Sequence, residues 1–262
     1  MNKITLTRVY TMKLTNFIFF LTISFTLVAC GGGGGDVDNT ASTVNTNTVQ
    51  NESADGVWSG YTTNNFGQTS LTLGIFYNGD FVAINDDFQE FYSGSYITKQ
   101  NGFTSVDTKG YYWNGPYIGQ GVIDGVVTSK GSMSLDFASD SGITGIIDLG
   151  YESSISNADV TYADLSGAWV GSDDSIGLYY AIAIDEQGNF VADSSDGCQV
   201  AGTLSIPDTN LNLFELILSI SGYSCTVTGN YTGFGVLYEG EISIAYSNDN
   251  YGFAYDAVKL GQ

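Results

Sequence analysis

In this 262-residue chain acids stand close together at Asp86-Asp87, Asp173-Asp174, Asp185-Glu186, and Asp193 with Asp196, among other places. Paired carboxylates can serve as acid and base in glycoside hydrolysis, and clustered carboxylate oxygens can hold calcium. None of these pairs keeps the ligand spacing of a calcium loop, and all fall in turn-like segments. Solvated turn acids are therefore the simplest reading, with calcium and hydrolysis as the alternatives, and no catalytic residue, metal or cofactor is assigned. The chain has no histidine, which excludes histidine-based metal sites, histidine acid–base catalysis and a Ser–His dyad. No Gly-x-Ser-x-Gly elbow occurs either. The remaining cluster is aromatic: Tyr111, Tyr112, Trp113 and Tyr117 crowd around Asn114-Gly115-Pro116. Rings on a turn can stack on a sugar or anchor a protein partner. The same rings could instead pack across a domain junction or onto a barrel mouth.

The N-terminus carries an address. Lys3, Arg8 and Lys13 precede an apolar run from Phe17 to Val28, shorter than the roughly 20 residues a membrane-spanning helix needs. Either Met1 or Met12 can start such a signal. The run ends Leu27-Val28-Ala29-Cys30-Gly31, which resembles the lipobox of bacterial lipoproteins. That resemblance implies a signal peptide over residues 1–29 and diacylglycerol on the Cys30 thiol. An Asp directly after the cysteine often retains such proteins at the inner membrane. Gly31 at that position implies the outer membrane, on a periplasmic or surface face that the motif leaves open. Cleavage would leave Cys198 and Cys225 as the other two cysteines, and an exported location permits a disulfide between them. It would also leave four bases, Lys99, Lys109, Lys130 and Lys259, against 28 acids, a net of −24 with no arginine. Such a surface excludes nucleic acid and anionic headgroups as partners, so the membrane would be met through lipid alone.

Residues 30–53, which open on Gly31 through Gly35, read as a flexible lipidated tether. Beyond them the chain repeats. Gly56-Val57-Trp58-Ser59-Gly60 returns as Gly167-Ala168-Trp169-Val170-Gly171, and Gly79-Asp80-Phe81-Val82-Ala83 as Gly188-Asn189-Phe190-Val191-Ala192. Two further matches, from Gly94 to Gly202 and from Gly131 to Gly240, keep the separation within 108 to 111 residues. This predicts two tandem units, 54–156 and 160–262, each closing its own core. Both read as strands only. Apolar residues alternate in Leu71–Tyr77, Tyr179–Ile184, Leu211–Ile220 and Ile242–Tyr246, with Asn-Gly and Asp/Asn-rich turns between them. In the second unit eight strands are expected, over 166–173, 178–185, 189–194, 198–206, 211–221, 225–237, 240–247 and 251–260. The predicted fold is all-β, a small antiparallel up-and-down barrel of about eight strands per unit, with flattened sandwiches as the alternative. Cys198 and Cys225 would then begin the fourth and sixth strands, at one end of the second barrel.

Gly-x-Trp at the start of each unit resembles the opening motif of lipocalins and their calycin relatives. The resemblance implies that Trp58 and Trp169 plug one end of each barrel. The family's arginine on that Trp has no counterpart in an arginine-free mature chain, and Lys259 is its candidate substitute in the second unit. Together these readings lead to an outer-membrane lipoprotein that binds or scaffolds without catalysis, its partner a protein or glycan in or beyond the envelope. The alternative is a lipocalin-like carrier of a small apolar ligand. A cavity of a few hundred Å³ in one barrel would favour the carrier, and a filled interior with exposed rings the binding module.

Overall fold

The computed structural model describes residues 51–173 and 178–261, apart from the side chain of Asp173, and residues 49–262 form one compact unit. Cys30, the signal segment and nearly all of the tether lie outside the described residues. Among the described residues seventeen strands carry almost all the secondary structure. The first half contains β1 (Gly56–Asn64), β2 (Thr69–Tyr77), β3 (Asp80–Asn85), β4 (Glu90–Ser95), β5 (Ile97–Lys99), β6 (Gly102–Tyr112), β7 (Gly115–Val127), β8 (Ser132–Ser139) and β9 (Thr144–Tyr151). Two single-turn helices, Ser153–Ser156 and Tyr162–Leu165, lead to the second half. There β10 (Gly167–Asp173), β11 (Leu178–Ile184), β12 (Asn189–Ser194), β13 (Gln199–Ser205), β14 (Phe214–Ser221), β15 (Gly229–Tyr238), β16 (Glu241–Ser247) and β17 (Tyr251–Lys259) follow.

Within each half the strands pair antiparallel in chain order, except that β4 and β5 both pair with β6, and each half returns to its start. In the second half β17 pairs with β10, which closes an eight-stranded barrel. In the first half β9 pairs with β1, so that sheet also closes on itself. The ninth strand of that half is the short β5. It continues the line of β4 past a break at Tyr96, and both pair with β6.

One end of each ring is filled around its tryptophan. Trp58 and Trp169 are fully buried, and each indole N–H donates to the carbonyl four residues earlier, on Ala54 (2.7 Å) and Leu165 (2.8 Å). A buried indole needs such a partner, because an unmet donor in an apolar interior costs more than the bond returns. Beside Trp58 the rings of Phe76, Phe81, Tyr96 and Phe103 pack with centroids 5.0 to 5.9 Å apart. The Lys259 ammonium lies 5.3 Å from the Trp169 ring centroid and donates to the Asp164 carbonyl. At Trp58 the neighbour is instead the Tyr151 ring, 5.2 Å away and edge-on. Residues 51–53, at the end of the expected tether, are bound to this end: Glu52 N–H donates to the Gln100 carbonyl, and Ser53 N–H to Ser129 Oγ.

A third apolar cluster lies between the two rings rather than inside either. Val57, Ile75, Val82, Phe91 and Tyr111 of the first half meet Leu211, Leu213, Phe234, Val236, Ala245 and Ala254 of the second. The strands concerned are apolar on both faces, as their near-continuous burial in β15, β16 and β17 shows. Hydrogen bonds cross the same seam, Ser247 Oγ to Ser93 Oγ and Tyr111 Oη to the Asn248 carbonyl among them. A short stretch of β7 pairs directly with β17, Gly115 opposite Gly252 and Pro116 opposite Tyr251. Gly252 has to be glycine here, since a Cβ would stand 2.4 Å from the Phe91 ring. The expectation that each half closes its core alone is therefore incomplete, because part of the core is shared.

Candidate functional site

The end of the first barrel opposite Trp58 is open. A cavity of about 370 Å³ runs inward from the β1–β2, β3–β4 and β8–β9 turns. Its apolar walls come from Phe76, Phe81, Ile123, Leu135, Phe137, Ile147 and Leu149, and its rim from Phe66, Phe88, Ile118 and Ile143. Phe66 is 71% exposed. The second barrel holds a smaller cavity of about 170 Å³, bounded by Tyr180, Tyr246, Phe253 and Tyr255.

The register explains the difference in residues. Thr72 faces Gly60 on β1, and at the matching place in the second barrel Tyr180 faces Gly171. Gly121 faces Thr108, where the second barrel has Tyr231 facing Leu218. Gly145 faces Phe137 where Phe253 faces Tyr246, and Ile147 faces Leu135 where Tyr255 faces Ile244. Four rings of the second barrel thus become Thr72, Gly121, Gly145 and Ile147 in the first. In the second barrel those rings and Tyr246 pack with centroids 4.9 to 6.2 Å apart. In the first barrel Thr72, Gly121 and Ile147 line the open cavity, while beside Gly145 the Phe137 ring and the Thr63 carbonyl take up the space.

The coverings differ too. Residues 222–228 join β14 to β15, and Thr226 and Val227 close over the second cavity. Two bonds hold that loop down, the Cys198–Cys225 disulfide and a hydrogen bond from Tyr231 Oη to the Val227 carbonyl (2.7 Å). In the first barrel only Trp113 and Asn114 join β6 to β7, and this hairpin is engaged by the other half. Ala254 N–H donates to Asn114 Oδ1, and Tyr117 N–H to the Asn250 carbonyl. Among the described residues no such flap covers the first mouth.

Along one wall of the open cavity runs a chain of polar side chains. Thr62 and Thr72 share a hydrogen bond of 2.7 Å, Thr72 donates to Asn85 Oδ1, Asn85 bonds Tyr92, and Tyr92 Oη donates to Glu90. Burial, followed by the Glu90 charge, pushes the Tyr92 phenol far above its ordinary range. Across the barrel the Ser105 and Thr108 hydroxyls, both buried, bond each other at 2.9 Å. Asp140 lines the opposite rim, and Asp86 and Asp87 stand in the β3–β4 turn. Burial, then the neighbouring Asp87, raises the Asp86 carboxyl.

The residues singled out in the sequence are dispersed. Tyr111 is fully buried in the seam, against Phe91 at 5.6 Å, so its ring is not offered to a partner. Tyr112 and Tyr117 are exposed and Trp113 half-buried, all on the hairpin that leans onto the second half. Of the two readings of the aromatic turn, packing across the junction describes Tyr111, while Tyr112 and Tyr117 remain exposed. The acid pairs stabilise turns. Asp185 accepts from the amides of Gln187 and Asn189, and that bonding, led by the Asn189 side chain, holds its carboxyl below the usual range. Asp196 accepts from the Cys198 amide, and Asp87 N–H donates to Ser70 Oγ. The Asp173-Asp174 pair lies outside the described side chains. Among the described residues no group of three or more acids and cysteines could hold a metal ion. The open cavity was not located by reading the sequence, although Thr72, Gly121 and Ile147 standing where the other half has rings is a signal that could have found it. Comparison with protein-family models, with curated proteins and with solved structures returns no match.

Proposed function

We propose that this protein is a lipid-anchored, non-catalytic binding protein of the bacterial outer membrane that takes a small apolar molecule into its first barrel. The observation that carries this reading is the open cavity of about 370 Å³ with mainly apolar walls. That volume lies within the usual range for small-molecule sites, roughly 300–1,000 Å³. We also infer that the two halves arose by tandem duplication. The repeated Gly-x-Trp, the constant separation and the matching strand registers support it. On that view one copy kept its rings and a smaller cavity and became a packing partner, and the other lost rings and gained a larger site. Residues 51–53 bind at the Trp58 end, so the tether leaves the barrel opposite its mouth. The ligand would then enter from the side away from the anchor.

Titration with an environment-sensitive apolar dye tests the reading, with an Ile147→Tyr variant alongside wild type. The tyrosine restores the ring that Tyr255 supplies in the second barrel and should project into the cavity and obstruct it without breaking a hydrogen bond. Saturable one-to-one binding that weakens at least tenfold in the variant, at undiminished melting temperature, is expected. Absent binding, or binding that ignores the substitution, would overturn it.

A further inference from the structure

We propose, resting on the cavity reading above, that the ligand of the first barrel is a cationic amphiphile, an apolar body with an ammonium-type head held at the mouth. The charges around the opening are all of one sign. Glu90 and Asp140 line it, and Asp86 and Asp87 stand in an adjoining turn. The described residues contain four bases, and none lines the cavity. Lys109 is paired with Asp249 across the seam, and Lys259 lies over Trp169. Lys99 and Lys130 lie in or beside the β5–β6 and β7–β8 turns, at the closed end. An anionic head would enter low-dielectric surroundings beside carboxylates with no counter-charge, which is strongly unfavourable.

The Glu90 carboxylate is half-buried and accepts from the Tyr92 hydroxyl, but no cation faces it. Nothing in the barrel geometry demands an acid there. Counting from the Phe81–Gly94 and Phe190–Gly202 pairs, the same place in the second barrel is taken by Cys198, tied in the disulfide. Around the opening, Phe66, Phe88 and Tyr92 present aromatic faces, which attract a cation within about 6 Å of a ring centre. Deeper in, the walls from Phe76 to Leu149 offer mainly apolar surface to the rest of the molecule, with the mutually bonded Thr62, Thr72 and Asn85 along one side.

Three amphiphiles with the same twelve-carbon chain separate the possibilities: dodecyltrimethylammonium, dodecyl maltoside and dodecyl sulfate. Each is titrated calorimetrically below its micelle concentration into wild type, Glu90→Gln and Ile147→Tyr. The trimethylammonium compound should bind at least tenfold tighter than the sulfate, which is about 1.4 kcal/mol. Glu90→Gln should shrink that preference several-fold while leaving maltoside binding in place. Equal binding of all three, or tighter binding of the sulfate, overturns the cation preference and leaves the carrier reading standing. If none of the three binds, the carrier reading itself fails. Cation binding that survives Ile147→Tyr would place the compound on the acidic outer surface and overturn the assignment to this mouth.

Discussion

Cutting the chain to residues 160–262 keeps all eight strands of the second barrel and its disulfide but removes the partner of one outer face. In the whole protein Leu213, Phe234 and Val236 are 1%, 7% and 4% exposed, packed in the cluster shared with the first half. Burying a side chain of that size is worth roughly 1.5–3 kcal/mol, so uncovering three costs about 5–9 kcal/mol. The Ser93, Tyr111 and Asn114 hydrogen bonds across the seam are lost as well. That loss is comparable to the whole stability of a typical domain, roughly 5–15 kcal/mol. The truncated chain should therefore lack a sharp thermal transition, or fold only by pairing its uncovered face with another copy. Near-ultraviolet circular dichroism follows packing of the aromatic cluster, and sedimentation follows association. A monomeric fragment that melts cooperatively near the temperature of the full chain would refute the argument. The shared cluster would then be contact without energetic weight.

Replacing Cys198 and Cys225 by serine should lower the unfolding free energy by about 3–4 kcal/mol, as expected for a closed loop of this length. Dye binding in the first barrel should be unaffected, and chemical denaturation with dye titration checks both. Asp256 offers a pH test. Burial, opposed by the Ser243 hydroxyl and aided by the Glu241 charge, pushes its carboxyl up to about 6. An acid whose folded-state pKa is raised contributes stability that is complete below its unfolded pKa near 4 and lost as pH rises through about 6. Asp256→Asn should remove that decline and stabilise the protein at pH 7 by on the order of 1–2 kcal/mol, after discounting for partial solvation. Urea midpoints between pH 4 and 7.5 that fall in parallel for both proteins would count against it. Cys30→Ser should release the protein from membranes into the soluble fraction, and a variant that still needs detergent for extraction would contradict the lipobox reading.

Much of the barrel was legible in the sequence. Alternation with period two marks strands one by one, and Asn-Gly and Asp/Asn turns punctuate them. The eight strands expected in the second half accordingly match β10–β17 closely, most ends falling within a residue or two. The largest shifts, at the starts of β14 and β15, occur where Leu211-Asn212-Leu213 and Cys225-Thr226-Val227 look strand-like but pack as loops. The placement of Cys198 and Cys225 at one end followed from the same counting, because hairpin-linked strands reverse direction each time. What alternation cannot say is whether an outward face meets water or another barrel. Tyr111, Phe234 and Val236 belong to a shared core only because two closed sheets lie side by side. Their partners are more than a hundred residues away, and no local period encodes that distance. The cavity is hidden for a related reason. It is the joint deficit of Thr72, Gly121 and Ile147, which stand on three different strands. Each is an unremarkable residue alone, and their missing volume adds into one space only when the barrel closes and turns all three inward.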